Sequence, residues 1–302
     1  MTMVPERRRN PARQRSRPKG AVPSPGTRRR HGLRQPLEHL VLAALALLVL
    51  VPFIWLASVA FRSRDDLYRL FPSRLTLENF AIMVDRVPDM VGYYLNSVLI
   101  TVGAVLVVAV ASTMAGYAFS QLSFRGRDQI FWILIATIFV PHATVVATLY
   151  LQLFELGLLD TQVGLILVYA SWQLPIGTLV MRSVFSQVPD ELQQSAKVDG
   201  ASTWQIMWRI YVPIGKGGMI IACLMAFVHF WGEFLLAFTL AGTKVIPMSI
   251  GIRFFEPSPS DPDFSFAAAA AAALVMFIPS VIVYVGFQKW FSRGVMEGAI
   301  KG

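Results

Sequence analysis

The sequence predicts an all-α polytopic membrane protein with six transmembrane helices. The chain has 302 residues, of which 55% are hydrophobic and only 15% charged, and its mean hydropathy is +0.56. Soluble domains carry about 25% charged residues. Six apolar segments are each long enough to cross about 30 Å of hydrocarbon. Basic residues concentrate in alternate loops between these segments, which is the charge pattern of membrane proteins.

The six predicted spans follow one another with mostly short connections. Pro141 and Pro175 lie inside the third and fourth spans and are expected to kink them, because proline lacks a backbone donor and clashes with the preceding turn. In the long connection 62–94, Thr76 is expected to cap a short helix that carries Phe80. The spans are predicted at residues 39–61, 97–121, 129–152, 163–185, 218–241 and 267–291.

Residues 1–36 are predicted to form a disordered basic tail, because they are rich in Arg, Pro, Gly and Ser and poor in apolar residues. The remainder, 37–302, is predicted to be one six-helix domain. With the N-terminus placed inside, the cytoplasmic segments hold 20 Lys and Arg against seven acidic residues, and the outer segments hold seven against ten. Both termini are therefore predicted to be cytoplasmic. The net charge of +9 is interpreted as affinity for anionic lipid, not for nucleic acid.

A polar stretch, 188–218, interrupts the apolar pattern between the fourth and fifth spans and is predicted to lie in the cytoplasm. After Pro189 come two acidic residues, which suit the positive end of a helix. Asp199 and Gly200 then form a typical helix stop, since glycine tolerates left-handed backbone. A short helix followed by a tight turn is therefore predicted here.

A second helix is predicted to begin at Ser202, because Gln205 three residues later completes a capping box, and to stop before Pro213. This helix is amphipathic and would dock on a soluble partner or lie on the membrane surface. Without a partner, its large apolar side chains would face water: Trp204, Ile206, Trp208 and Ile210.

No catalytic or metal-binding motif is recognised in the chain. The segment 215–218 (GKGG) lacks the upstream glycine and the Ser or Thr of a phosphate loop. His142 and His229 lie in different predicted spans and are interpreted as packing or pore residues, not as metal ligands. Cys223 is the single cysteine. The chain is therefore predicted not to be an enzyme.

Glu233 is the one acidic residue predicted deep within a span, where a carboxylate indicates either a polar pathway or a hydrogen bond to a neighbouring helix. Together with Trp231 and Asn96 it is assigned to a candidate translocation pathway. A stand-alone secondary transporter or channel with Glu233 as its proton-coupling group is one functional hypothesis. The other is a pore subunit that docks on a soluble partner through 188–218.

The stretch 188–218 resembles the coupling-helix motif, or EAA loop, of permease subunits from binding-protein-dependent ABC importers. Within that superfamily the chain is most similar to maltose-type carbohydrate permeases. Further family-like patches include Thr76–Phe80 and Trp231 with Glu233. The motif E-A-A-x-x-D-G-A and its following proline fall on Gln194, Ser195, Ala196, Asp199, Gly200, Ala201 and Pro213.

The resemblance implies that the chain forms half of a translocation pore in a bacterial plasma (inner) membrane, as a heterodimer with a second permease. Two separate ATPase subunits would bind ATP and Mg²⁺, so no cofactor is expected in this chain. An extracytoplasmic binding protein would deliver a sugar, an oligosaccharide or a related polyol or glycerophosphate-type solute. Docking on the ATPase is assigned to Glu191, Gln194, Ser195, Ala196, Asp199, Gly200, Ala201, Trp204, Trp208 and Pro213.

The chain departs from the family pattern at three positions. Gln194 stands where the family has glutamate, so that a neutral hydrogen bond replaces a salt bridge to the ATPase. Glu191, one turn earlier, offers a carboxylate instead. Gly217 and Gly232 stand where a proline and an asparagine are usual.

Overall fold

The computed structural model describes residues 34–63, 66, 69, 74–87, 89–255 and 266–299, and the regular secondary structure of this part is helical, with one isolated bridge between Arg62 and Leu75. The α-helices in it are α1 Arg34–Ala60, α2 Glu78–Arg86, α3 Met90–Gln121, α4 Arg127–Ala136, α5 His142–Glu155, α6 Gln162–Phe185, α7 Asp190–Val198, α8 Thr203–Ile206, α9 Val212–Phe230, α10 Leu235–Leu240, α11 Met248–Gly251 and α12 Phe266–Ala299.

Helix α1 begins inside the segment predicted as a tail, so residues 34–36 are helical. Residues 1–33 of that predicted tail lie outside the described residues. The chain divides into two compact units, one up to Pro52 and one from Phe53 onward. All the sites discussed below belong to the second unit.

Among the described residues, five helices are long and apolar enough to cross a membrane, and the pair α4 and α5 is a sixth candidate. This pair is bent by 106°. Pro141 lies at the bend, after a 3₁₀ turn at Thr137–Phe139, and precedes the first residue of α5. The predicted kink at this proline is confirmed. Pro175, in contrast, lies inside α6, which is one helix from end to end.

The centre of the second unit is the pair α3 and α6, and α9 packs against both. Glycine permits the close approach of the pair: a Cβ atom on Gly116 would lie 2.5 Å from the Cβ of Met181. Small residues at such contacts let helix backbones meet in a membrane. Ile100, Val108 and Leu165 are buried in the resulting core.

The predicted short helix in the connection 62–94 is α2. Its first N–H group, that of Glu78, donates to Thr76 Oγ1 at 3.1 Å. The buried Asn79 side chain donates to the carbonyl oxygens of Ala60 and Arg62 at 3.0 and 2.7 Å. Because α2 also packs against α12, it is a fixed part of the bundle.

Two boundaries predicted near the fifth span are wrong. The helix expected to stop before Pro213 continues, because α8, a π-helical turn at Met207–Tyr211 and α9 form one helix that ends at Phe230. Proline cannot donate to the carbonyl four residues earlier, and the wider π turn accommodates this defect within the helix. The span predicted at 218–241 therefore starts earlier, and a non-helical break separates it from α10.

Candidate functional site

The turn after α7 has the geometry that its sequence predicts. Gly200 has φ of 80°. Its N–H donates to Lys197 O at 3.0 Å, and the N–H of Ala201 donates to Ala196 O at 2.9 Å. These two bonds form a Schellman motif, which uses the last carbonyls of the helix and fixes the direction of the chain beyond it.

The capping box at the start of α8 is also present. The N–H of Gln205 donates to Ser202 Oγ at 3.3 Å, and the N–H of Ser202 donates to Gln205 Oε1 at 2.8 Å. Both ends of the turn are thus held by hydrogen bonds, so the angle between α7 and α8 is defined locally.

The two tryptophans of this element face outward. Trp204 is 56% exposed and Trp208 is 38% exposed, and their rings form a T-shaped pair with centroids 5.5 Å apart. The prediction that four apolar side chains would face water is wrong for Ile206, which is buried, and Ile210, which is half-buried. Their inward orientation leaves the tryptophans as the outward apolar face.

The other residues predicted to dock lie on α7, in the turn after it and, for Pro213, at the start of α9. Ala196 and Ala201 are half-buried and pack against the cluster that contains Ile206. The exposed ones are Glu191, Gln194, Ser195, Asp199, Gly200 and Pro213.

A buried polar cluster connects this element to the spans. The hydroxyl of Tyr211 lies 2.8 Å from Gln121 Oε1 and 3.1 Å from Gln193 Oε1, and Gln121 Nε2 donates to Phe185 O at 3.0 Å. Helix α7 is thereby tied to the ends of α3, α6 and α9. Gln193 was not predicted as important, because one glutamine in a polar helix gives no signal of burial.

Glu233 was predicted to lie inside a membrane span. In the structure it lies outside a helix, in the break between α9 and α10. Its Oε1 accepts from the N–H of Leu236 at 2.8 Å, and its Oε2 accepts from the N–H of Ala237 and the hydroxyl of Tyr169, both at 2.9 Å. All three of these described partners are hydrogen-bond donors. The Glu233 side chain therefore caps the first turn of α10 and links this helix to α6.

The other two residues predicted for the pathway hold elements together. Trp231 Nε1 donates to Met276 O at 2.7 Å. Asn96 Nδ2 donates to Ile246 O at 3.3 Å, and Asn96 Oδ1 accepts from Gln162 Nε2 at 2.8 Å. The structure does not bring either of them to the large cavity described next.

A cavity of about 710 Å³ lies between α6, α9 and α12. This size is typical of small-molecule sites, which span about 300–1,000 Å³. Most of its wall is aliphatic and aromatic. Its polar and aromatic groups include Gln173, His229, Glu233, Ser280, Tyr284 and Gln288.

Two histidines predicted in different spans meet beside this cavity. His142 Nε2 and His229 Nε2 are 3.3 Å apart, and the ring of His142 stacks on Trp172 with centroids 3.8 Å apart. A hydrogen bond between two imidazole nitrogens requires one of them to be unprotonated. This pair was not predicted, because the two residues are 87 positions apart and local patterns carry no information on such contacts.

Asp160, in the loop between α5 and α6, binds the segment that follows α10. Its two carboxylate oxygens accept four hydrogen bonds, of 2.7 to 3.0 Å, from the consecutive N–H groups of residues 242–245. Burial raises the pKa of the Asp160 carboxyl, but the four donors outweigh burial and hold this pKa below its ordinary value. The loop and the segment are thus joined through one side chain.

Asp160→Asn is expected to lower the free energy of unfolding by about 1–3 kcal/mol at pH 7, because a neutral amide offers one acceptor oxygen instead of two charged ones. Since the folded-state pKa is lowered, the contribution of the carboxylate is complete above the ordinary value of about 3.9 and is lost as the pH falls through the folded-state pKa. Thermal unfolding in detergent at pH 7 and at about pH 3 measures this difference. Glu155→Gln, at an exposed position, is the matched control. Equal stability of wild type and Asp160→Asn at pH 7 would contradict the role of this side chain.

These features define a helical membrane protein with a cavity between its apolar helices. The family described as "binding-protein-dependent transport system inner membrane component" matches residues 108–297, and the chain belongs to this family. The diacetylchitobiose uptake system permease protein NgcG of Streptomyces coelicolor is 27% identical, with 88% of each chain covered. The trehalose/maltose transport system permease protein MalG of Thermococcus litoralis is 29% identical, with 85% of this chain and 94% of its own covered.

The fold also matches a solved structure. A chain of a bacterial ABC transporter that imports the acidic polysaccharide alginate superimposes with a TM-score of 0.75 at 22% identity, covering 85% of this chain and 96% of that one. The predicted resemblance to carbohydrate permeases of ABC importers is therefore confirmed, and the likeness to the alginate transporter extends the agreement to the fold.

Proposed function

We propose that this chain is one of two permease subunits of an ATP-driven importer for a carbohydrate. The observation that carries the proposal is the family match, together with the names of the relatives: diacetylchitobiose, trehalose, maltose and galactooligosaccharides appear among their substrates. The chain would lie in the inner membrane with both termini in the cytoplasm and form half of the pore.

The element formed by α7 and α8 would receive the ATPase. Three features support this assignment: the Schellman turn and capping box fix its shape, Trp204 and Trp208 are exposed on it, and the hydrogen bonds of Tyr211 and Gln121 tie it to three spans. A movement of this element would therefore be transmitted directly to α3, α6 and α9. ATP and Mg²⁺ would bind to the partner ATPase and not to this chain.

A binding protein outside the membrane would deliver the solute. A solved alginate transporter contains a periplasmic protein loaded with an alginate pentasaccharide, and its chain superimposes with a TM-score of 0.62 at 15% identity. At this identity the likeness shows a shared fold and nothing about partners. The binding protein is therefore proposed for this chain. The rival hypothesis of a proton-coupled transporter is less well supported, because the hydrogen bonds of Glu233 give it a structural task.

Co-purification tests the proposed assembly. The tagged chain, expressed with its chromosomal neighbours, is expected to bring down a second permease and an ATPase, and the reconstituted complex to take up a carbohydrate only with ATP and the binding protein. Uptake by this chain alone, driven by a proton gradient and abolished by Glu233→Gln, would favour the rival hypothesis.

A further inference from the structure

One nearly buried polar side chain on the wall of the cavity between α6, α9 and α12 has no hydrogen-bond partner among the described residues. Gln173 is only 3% exposed and its side chain lines this cavity. No other group in the described part of the chain forms a hydrogen bond with its amide. Among the described residues, the fully buried side-chain atoms without a partner lie elsewhere, on Ser112, Thr113, Tyr117 and Thr178. The Gln173 amide is therefore accessible from the cavity, where it can bind a ligand.

The rest of the wall suits a saccharide. Tyr284, with 63% of its surface exposed, offers a ring face for the C–H side of a pyranose, and aliphatic residues continue that surface. Ser280 and His229 add hydroxyl and imidazole groups at the same wall. Sites of this kind combine an apolar lining with a few polar groups that orient the ligand.

One carboxyl group lies among the described residues that line the cavity. Glu233 is on its wall with both oxygens held by hydrogen-bond donors. Among the described residues that line the cavity there is no lysine or arginine, and Lys289 lies beside but not on the lining. The hydrogen bond between His142 and His229 keeps at least one of the pair neutral. Within a membrane a carboxylate repels an anion strongly, because water screens the charge poorly.

We propose that this subunit itself contacts the transported solute in this cavity, and that the solute is a neutral saccharide, not an acidic or phosphorylated one. The inference rests on the proposed function and adds the substrate class. It separates this chain from its structural neighbour, whose substrate is an acidic polysaccharide. Gln173 would bind a sugar hydroxyl, and Glu233 would exclude carboxylate and phosphate groups.

Charged thiol reagents test the electrostatic part without a known substrate. Ser280→Cys is introduced into a Cys223→Ser background, and the assembled transporter is treated at about pH 8, where histidine is neutral. The cationic trimethylammonium-ethyl methanethiosulfonate is expected to react about tenfold faster than the anionic sulfonatoethyl reagent, relative to their rates with mercaptoethanol. Adding Glu233→Gln should remove this preference. If the transporter with both Ser280→Cys and Glu233→Gln does not assemble, the preference of Ser280→Cys for the cationic reagent is by itself the test of the inference.

Two labelling results would overturn the inference. Equal normalised rates would show that the cavity does not repel anions. Failure of both reagents to reach Ser280→Cys would show that lipid or a helix of the second permease fills the cavity.

Gln173→Leu tests the binding part, because binding and stability should respond in opposite directions. Loss of an unpaired amide is expected to leave the melting temperature of the complex unchanged or higher, whereas the KM for uptake of trehalose or diacetylchitobiose should rise about tenfold. Gln152→Leu, an exposed glutamine on α5, should change neither. A lower melting temperature with an unchanged KM would assign Gln173 to structure and overturn the inference.

The outcomes separate this inference from the proposed function. A wild-type complex that takes up glycerol 3-phosphate or an alginate trisaccharide would confirm an importer but overturn the neutral substrate class. A chain that assembles with no ATPase and takes up no sugar would refute the proposed function, while the thiol labelling would still decide the charge of the cavity.

Discussion

Gly200→Pro is expected to abolish ATP-driven uptake while the chain still inserts and folds. Proline fixes φ near −65° and has no N–H, but Gly200 has φ of 80° and donates to Lys197 O. A proline forced into a backbone conformation that it does not favour costs about 3 kcal/mol or more. This cost lowers the population of the native turn roughly a hundredfold. The angle between α7 and α8 would be lost with it, so ATP hydrolysis would no longer drive transport.

Uptake and ATP hydrolysis are measured in parallel on proteoliposomes that contain the whole transporter. Gly200→Asn is the matched control, because asparagine tolerates the left-handed region and a Cβ atom at this position meets nothing within 4 Å. It should retain most of the uptake. Normal uptake by Gly200→Pro would refute the docking role, and complete loss in Gly200→Asn would show that backbone conformation is not the reason.

The local features of this protein were predictable because their causes lie within a few residues. Gly200 needs a left-handed backbone, the Ser202 and Gln205 pair caps a helix, and Pro141 cannot continue one. Hydropathy likewise locates apolar helices without information on their neighbours. The end of the fifth span was misplaced because apolar residues continue past Phe230 through the break into α10, so composition alone shows no boundary there.

The contacts between spans were not predictable. A helix that is apolar on all sides has no hydrophobic periodicity to indicate which side faces which neighbour. The contact between His142 and His229 depends in addition on the bend at Pro141. The role of Glu233 illustrates the same limit. Its sequence position indicated a buried carboxylate, but only the structure shows that the N–H groups of α10 and the hydroxyl of Tyr169 hold it.

The candidate docking element and the cavity are connected through shared helices. Helix α6 carries Gln173 on the cavity wall and ends at Phe185, whose carbonyl accepts from Gln121 in the buried cluster below α7. Helix α9 carries His229 at the cavity and follows directly on Tyr211. A displacement of α7 would therefore shift two of the three walls of the cavity, which is how docking would act on a bound solute.

Trp208→Asp is expected to weaken the affinity of the permease pair for the ATPase by roughly 30-fold, because a central tryptophan in an interface contributes about 2 kcal/mol or more. Folding should be preserved, since Trp208 is 38% exposed and its ring contacts the more exposed Trp204. Trp208→Phe keeps an aromatic face and should lose much less. Affinity is measured between the solubilised permease pair and the isolated ATPase.

The absence of a bilayer in this measurement separates docking from the rival role of the amphipathic helix at a membrane surface. If Trp204 and Trp208 served only to contact lipid, the affinity for the ATPase in detergent would not change, although uptake in liposomes would fall. If they dock on the ATPase, both quantities fall together. Because Gln194 replaces the glutamate of the family motif, this apolar face should carry a larger share of the affinity here than a charged contact does, and Gln194→Ala should weaken binding less than Trp208→Asp.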